Sequence, residues 1–207
     1  VGFSGEKIMN FEFWHPTPIG IFDVDEQVKL QTQQKVFNWI SNNYDSIKTT
    51  SEENLSTTYH SGHIFLEQCN LTELYSEIMQ CTIEFCNLMG IQPSDSYVVH
   101  SWLNLFEKNQ TENQHTHYGN FLSGCYYVDS SEKSGAFTFP DALTERDMWK
   151  GIYLKSKTKQ TLLNNSSGSY LPKPGRMLMF QSWMPHSVLK NDSETTRISI
   201  AFNVNPK

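Results

Sequence analysis

Strict alternation in the segment RISIAFNV, residues 197–204, constrains the fold of this chain more than any other feature. Successive side chains of an extended backbone point to opposite faces. Arg197, Ser199, Ala201 and Asn203 therefore share one face, and Ile198, Ile200, Phe202 and Val204 share the other. A wholly apolar face has to be covered by helices or a second sheet, so the polar face lines something wet or functional. That segment belongs to a predicted strand over 195–204, and segments 97–106, 121–128, 136–139 and 176–181 are also rich in aromatic and β-branched residues, all separated by Gly, Pro, Asn and Ser clusters. From Tyr97 onward the chain is predicted to be mostly antiparallel sheet. With an arginine, a serine and an asparagine turned inward, the last strand predicts a barrel or sandwich with a polar cavity.

Before Tyr97 the period is helical. Residues 25–44 place Val28, Val36, Phe37 and Ile40 on one side. Residues 70–90 carry Leu71, Leu74, Tyr75, Ile78, Met79, Phe85 and Cys86 at helical spacing, with Asn70 and Glu73 reading as a capping box and Gly90 as the stop. Both helices are expected to back the sheet. A chain of 207 residues, 38% hydrophobic and 18% charged, fits one domain over 1–207, with helical and strand support over 9–96 and a barrel core over 97–204. The polar stretch 141–172, with Lys150, Lys155, Lys157 and Lys159, is long for a connection inside a compact domain. It is expected to carry short strands of its own or to form a lid on the substrate side.

Composition excludes several classes of partner. Twenty-two acidic against 16 basic side chains leave a net charge of −6, with no general attraction to nucleic acid or anionic lipid. No apolar run approaches the roughly 20 residues that span a bilayer, and no basic-then-apolar leader opens the chain. The expectation is a cytoplasmic protein with no nucleic-acid or membrane partner. Cys69, Cys81, Cys86 and Cys125 contain no C-x-x-C pair, so reduced thiols are expected. The N-x-S/T triplets at Asn70 and Asn191 carry no weight in an Asn- and Ser-rich chain. Val1 opens the chain and the first methionine is Met9, which leaves the origin of residues 1–8 open.

The chemistry-bearing residues cluster in the second half. His115 and His117 flank one threonine; on an extended backbone they point the same way, about 7 Å apart along the chain, and can converge on one metal ion. His186, just past a strand, qualifies as a distant third ligand. Arg197 follows eleven positions later on the polar face of the last strand and can bind a carboxylate through two charge-assisted hydrogen bonds, with Ser199 adding another. Trp102 and Asn104 face the same side as His100; if that side is the cavity, Asn104 bonds a ligand or orders a metal-binding histidine. His60 and His63 sit in a Ser/Thr-rich loop and are expected to be solvated. Cys125 is either a small core residue or an oxidation-prone neighbour of the metal.

Taken together, the segments SWLN (101–104), HTHYGNFLSGCYYV (115–128), GAFTFPD (135–141), PGRMLMFQSWMPHSV (174–188) and RISIAFN (197–203) resemble the non-haem iron, 2-oxoglutarate-dependent oxygenases. More narrowly they are similar to oxygenases of marine bacteria and phages related to the prolyl-hydroxylase branch. The resemblance covers about residues 97–204. It implies a double-stranded β-helix, a jelly-roll and cupin-like barrel, mostly β with flanking α. It also implies Fe(II) and the cosubstrate 2-oxoglutarate, whose far carboxylate meets Arg197, with Tyr126 or Ser199 as a further donor. The implied reaction is oxidative decarboxylation of 2-oxoglutarate coupled to hydroxylation of a small-molecule or peptide substrate, peptidyl proline among the candidates. A phage-borne enzyme of this kind would work in the host cytoplasm.

One departure stands out: most of that superfamily has a carboxylate two residues after the first histidine, where this chain has His117. Either His117 itself binds, giving a three-histidine site of His115, His117 and His186, or Asp141 swings in. His117 is favoured because its spacing needs no loop to reach. Two other functions fit the same residues: a three-histidine cupin dioxygenase that uses no keto acid, and a non-catalytic metal- or ligand-binding barrel.

Overall fold

The computed structural model describes residues 17–50, 55–140 and 167–207. Among these residues, eleven strands and three α-helices follow in chain order: β1 (Ile19–Asp23), α1 (Glu26–Asn43), β2 (Lys48–Thr50), β3 (Leu55–Thr57), α2 (Phe65–Gln68), α3 (Thr72–Leu88), β4 (Tyr97–Phe106), β5 (Glu112–His115), β6 (Leu122–Asp129), β7 (Phe137–Pro140), β8 (Ser167–Tyr170), β9 (Arg176–Gln181), β10 (His186–Val188) and β11 (Arg197–Pro206). They form a seven-stranded sheet, in the order β1-β9-β6-β11-β4-β3-β2, and a four-stranded sheet, β5-β10-β7-β8. The strand pairs within both sheets are antiparallel. This is the jelly-roll arrangement of a double-stranded β-helix, mostly β with helices behind the larger sheet.

β11 runs through the middle of the larger sheet between β4 and β6, and its alternation divides the core in two. Ile198, Ile200, Phe202 and Val204 join Val36, Phe65, Leu74, Ile78 and Phe85 in a cluster beneath the helices. On the opposite face, Cys125, Tyr127, Phe137, Phe139, Leu178 and Phe180 form a second cluster. There the polar residues of β11 look into the gap between the sheets.

β4 and β9 occupy the predicted spans, and β11 starts two residues later than expected. The α1 boundaries agree, with the Asp25 side chain accepting from Gln27 N at 2.8 Å, but Phe37 lies on the outer side at 40% exposure. The inward stripe is Thr32 and Val36, with Trp39 and Ile40 packed beside them, at four- and three-residue steps that leave Phe37 one position off the stripe. The capping box is absent as well. Leu71 takes the cap position of α3 without a side-chain bond, because Asn70 is held in a left-handed turn (φ 51°). Glu73 pairs with Lys35 instead, at 3.0 Å.

All four cysteines are free and buried, and burial pushes the thiols of Cys69 and Cys81 up to about 11 and about 12. Cys69, Cys81 and Cys86 pack on the helix side, whereas Cys125 lies on the cavity side beside Arg197 and Ser199. Asn191 is a buried structural residue whose amide donates to the carbonyls of Phe106 and Thr195. Residues 167–170 of the long polar connection form β8, while its four lysines and Asp141 lie outside the described residues. No helix among the described residues is long and apolar enough to cross a membrane.

Candidate metal centre

β5 and β10 pair so that His115 and His186 stand opposite each other in register, which brings two imidazoles 71 positions apart in the chain side by side. His117 follows β5, and its backbone N–H donates to the Ser182 carbonyl at 2.9 Å, tying the end of that segment to the turn before β10. Ring centroids lie 5.0 Å (His115–His117), 4.3 Å (His115–His186) and 5.1 Å (His117–His186) apart. One nitrogen from each ring lies within 4.8 Å of the others.

The neighbouring groups decide which nitrogens are available. Nδ1 of His115 is 2.8 Å from the Asn113 carbonyl and Nδ1 of His186 is 2.9 Å from the Met184 carbonyl. A carbonyl oxygen only accepts, so both Nδ1 atoms carry a proton and Nε2 is the nitrogen of each ring left for a metal. Burial, with the neighbouring imidazoles adding to it, depresses His186 to about 3 and His117 to about 4, so both rings are neutral near pH 7. Phe137 stacks on His186 at 5.2 Å and 10°, and Phe180 meets it edge-on at 4.8 Å, which fixes the ring plane. Three imidazoles gathered and oriented in this way make a donor set for Fe, Zn, Cu or Ni.

Arg197 is fully buried in the same cavity. Its guanidinium lies 5.0 Å from the Phe106 ring and 5.1 Å from the Tyr127 ring. Nη1 donates to the Gly135 carbonyl at 3.1 Å, and Nε is buried with no hydrogen-bond partner among the described residues. A buried cation with an unused donor is costly, and an anion placed there would complete it. Ser199, Ala201, Asn104 and Trp102 line the cavity too, as the alternation of β4 and β11 requires. The Asn104 side-chain oxygen accepts from Thr57 Oγ1 at 2.6 Å.

Two expectations need correction. Tyr126 faces away from Arg197 into the helix-side cluster, because β6 alternates and its cavity face carries Cys125 and Tyr127. Tyr127, the second of the pair, is the tyrosine beside the guanidinium. His63 is not solvated: it is half-buried, 4.5 Å from the Tyr59 ring and 5.8 Å from Trp102, and its Nε2 is buried. His60 is exposed, as expected. Sequence reasoning also missed Glu112 and Tyr59. Both line an outer cavity of about 240 Å³ bounded by Trp102, Asn104 and every residue from Glu112 to His117. The only sequence signal for Glu112 is its position three residues before His115.

No curated protein sequence matches this chain. Solved structures share its fold. A prolyl-4-hydroxylase from Pseudomonas putida has a TM-score of 0.59 at 11% identity, over 92% of this chain and 94% of that one. A prolyl hydroxylase from Trichoplax adhaerens, in complex with a hypoxia inducible factor oxygen degradation domain peptide fragment, has a TM-score of 0.60 at 13% identity, over 90% and 83%. HygX from Streptomyces hygroscopicus, with nickel, 2-oxoglutarate and hygromycin B bound, has a TM-score of 0.57 at 10% identity, over 92% and 84%. The sequence profile of the 2OG-Fe(II) oxygenases matches residues 100–203, just over half of the chain and all of its proposed ligands. The chain therefore belongs to the 2OG-Fe(II) oxygenase family, an enzyme family that works with Fe(II) and 2-oxoglutarate.

Proposed function

We propose that this chain hydroxylates a single side chain of a polypeptide, peptidyl proline being the first to test, with His115, His117 and His186 holding Fe(II). Arg197 and Ser199 hold the far carboxylate of 2-oxoglutarate, and Tyr127 flanks the guanidinium. The observation that carries this reading is the convergence of three imidazoles in one cavity with a buried guanidinium whose Nε has no partner among the described residues. The residues present fit both groups: lone pairs for a divalent metal, a fork of donors for a carboxylate. His117 is preferred over Asp141 because its ring already stands within reach of the other two.

Bound there, Fe(II) and 2-oxoglutarate supply the oxidation: dioxygen is consumed, the keto acid becomes succinate and carbon dioxide, and the substrate gains a hydroxyl oxygen. The chain's own residues do the positioning. Arg197, walled by Phe106 and Tyr127, holds its anion away from water, where charge-assisted bonds are strongest. The carbonyls of Asn113 and Met184 keep Nδ1 of His115 and His186 protonated and the opposite nitrogens facing the cavity. Asn104, held by Thr57, presents its amide to the same space.

The outer cavity, about 240 Å³, is below the range of roughly 300–1,000 Å³ typical of drug-sized ligands. Its size favours one side chain, or a small amino acid, over a bulky molecule. The fold shared with two prolyl hydroxylases, one of them in complex with a peptide, supports testing proline first. The test is anaerobic Fe(II) protein titrated with 2-oxoglutarate, followed by succinate assay in air with proline-containing peptides. A visible charge-transfer band and Fe(II)-dependent succinate, both lost in His186→Ala, are expected. Oxygen uptake independent of keto acid would replace this reading with the cupin dioxygenase, and neither activity would leave a binding barrel.

A further inference from the structure

Three imidazoles bring no charge, so a divalent ion at this centre keeps its full +2 inside a largely buried cavity, which is unfavourable without a nearby anion. A carboxylate does stand beside it. Oε1 of Glu112 lies 3.6 Å from Nε2 of His115, the nitrogen that the Nδ1 contact to Asn113 leaves for a metal. The Glu112 side chain is only 20% exposed, and it lines both the inner cavity of Arg197 and the outer one.

Its orientation has a structural cause. In a regular strand, residues three apart point to opposite faces. Here His186 pairs with His115 and Val188 with Glu112, so β5 spends three steps where β10 spends two. One extra residue in β5 is a β-bulge, and it turns Glu112 to the same side as His115. Bulges re-aim side chains in this way next to active sites.

We propose that Glu112 supplies the negative charge of the metal centre, in place of the carboxylate that the His115–Thr116–His117 segment lacks; this rests on the three-histidine reading above. Glu112 is not one of the three mutually close ligands. It stands beside the His115 nitrogen that would hold the metal and would act on that ion through charge. The consequence has opposite signs for the two ions that must bind: the carboxylate attracts the metal cation and repels the keto-acid dianion. Glu112 thereby favours metal loading before 2-oxoglutarate, which Arg197 must then hold against that repulsion.

The test is calorimetric titration of the metal-free protein with Co(II), and of the Co(II) protein with 2-oxoglutarate, in the parent and in Glu112→Gln. Neither measurement involves turnover. The expected result is Co(II) affinity weakened at least tenfold together with tighter binding of 2-oxoglutarate. Unchanged Co(II) affinity overturns the proposal, and so does any result in which 2-oxoglutarate fails to bind more tightly, because a merely structural role weakens both ligands or neither. Glu112→Asp keeps the charge and is expected to stay within threefold of the parent for Co(II); a loss as large as that of Glu112→Gln overturns the proposal as well. His186→Ala separates this proposal from the reading beneath it. Parent-like Co(II) binding by that variant would remove the three-histidine centre itself, whatever Glu112 does.

Discussion

Replacing Arg197 by methionine should separate stability from ligand binding. The substitution keeps length and removes charge. It loses two ring contacts, at 5.0 and 5.1 Å, worth about 2 kcal/mol each for a desolvated cation, and one charge-assisted hydrogen bond to Gly135, worth about 1.5–3 kcal/mol. Against this, it removes a buried cation whose Nε has no partner among the described residues, a desolvation penalty of several kcal/mol. The terms are opposed and of similar size, so the metal-free variant should unfold in urea within about 2 kcal/mol of the parent. The metal-loaded parent, given 2-oxoglutarate at 100 times its Kd, should gain about 2.7 kcal/mol. At this chain length that is a rise in Tm of about 5–10 °C. Arg197→Met should show no such rise at the same concentration. A metal-free variant destabilised by more than about 3 kcal/mol would make Arg197 a structural residue, and a retained ligand shift would remove it from the anion site.

Further expectations follow from the same geometry. His117 and His186 have folded pKa values of about 4 and about 3, below an ordinary 6.5; the unfolded chain therefore binds more protons, and stability of the metal-free protein should rise with pH between about 4 and 6.5 and level off above. Urea melts across that window, with His186→Asn flattening the slope, would check it; a parent slope of zero would contradict it. The buried Tyr127 hydroxyl has no partner among the described residues, and if it bonds 2-oxoglutarate, Tyr127→Phe should weaken binding about tenfold, about 1.4 kcal/mol, whereas Tyr126→Phe should leave it unchanged; equal effects would refute the assignment of the two faces. Gly135 has φ +82°, and a Cβ there would meet the Leu189 carbonyl oxygen at 2.0 Å. Gly135→Ala should cost about 2–4 kcal/mol in denaturant melts and, because the Gly135 carbonyl holds Arg197, weaken 2-oxoglutarate binding as well.

Much of this was legible before any coordinates. Long strands announce themselves by period, and β4 and β11, ten residues each, are long enough for the alternation of apolar and polar residues to separate their two faces. β2, β3, β5 and β10 are three or four residues long, too short for a period to show, and their pairing is decided by neighbours far away in the chain. Tyr126 and Tyr127 show the limit within one strand. Both are fully buried, every step of β6 from Leu122 to Val128 is aromatic, apolar or small, and nothing local says which tyrosine meets Arg197. Asn70 failed as a cap for the converse reason, since tertiary contacts drew it into a turn that local spacing does not reveal.

By itself, the order of residues determined that this chain would present an arginine and a serine on the covered side of a central strand, and that His115, His117 and His186 were candidates for one ion. Alternation and spacing are local, and covalent geometry enforces them wherever the strand lies. The tertiary structure alone decided that His186 stands across from His115, that Tyr127 rather than Tyr126 flanks the guanidinium, and that a bulge brings Glu112 to the same side as its histidine. Those outcomes depend on the register between strands far apart in sequence, which is set by how two sheets close over a shared core.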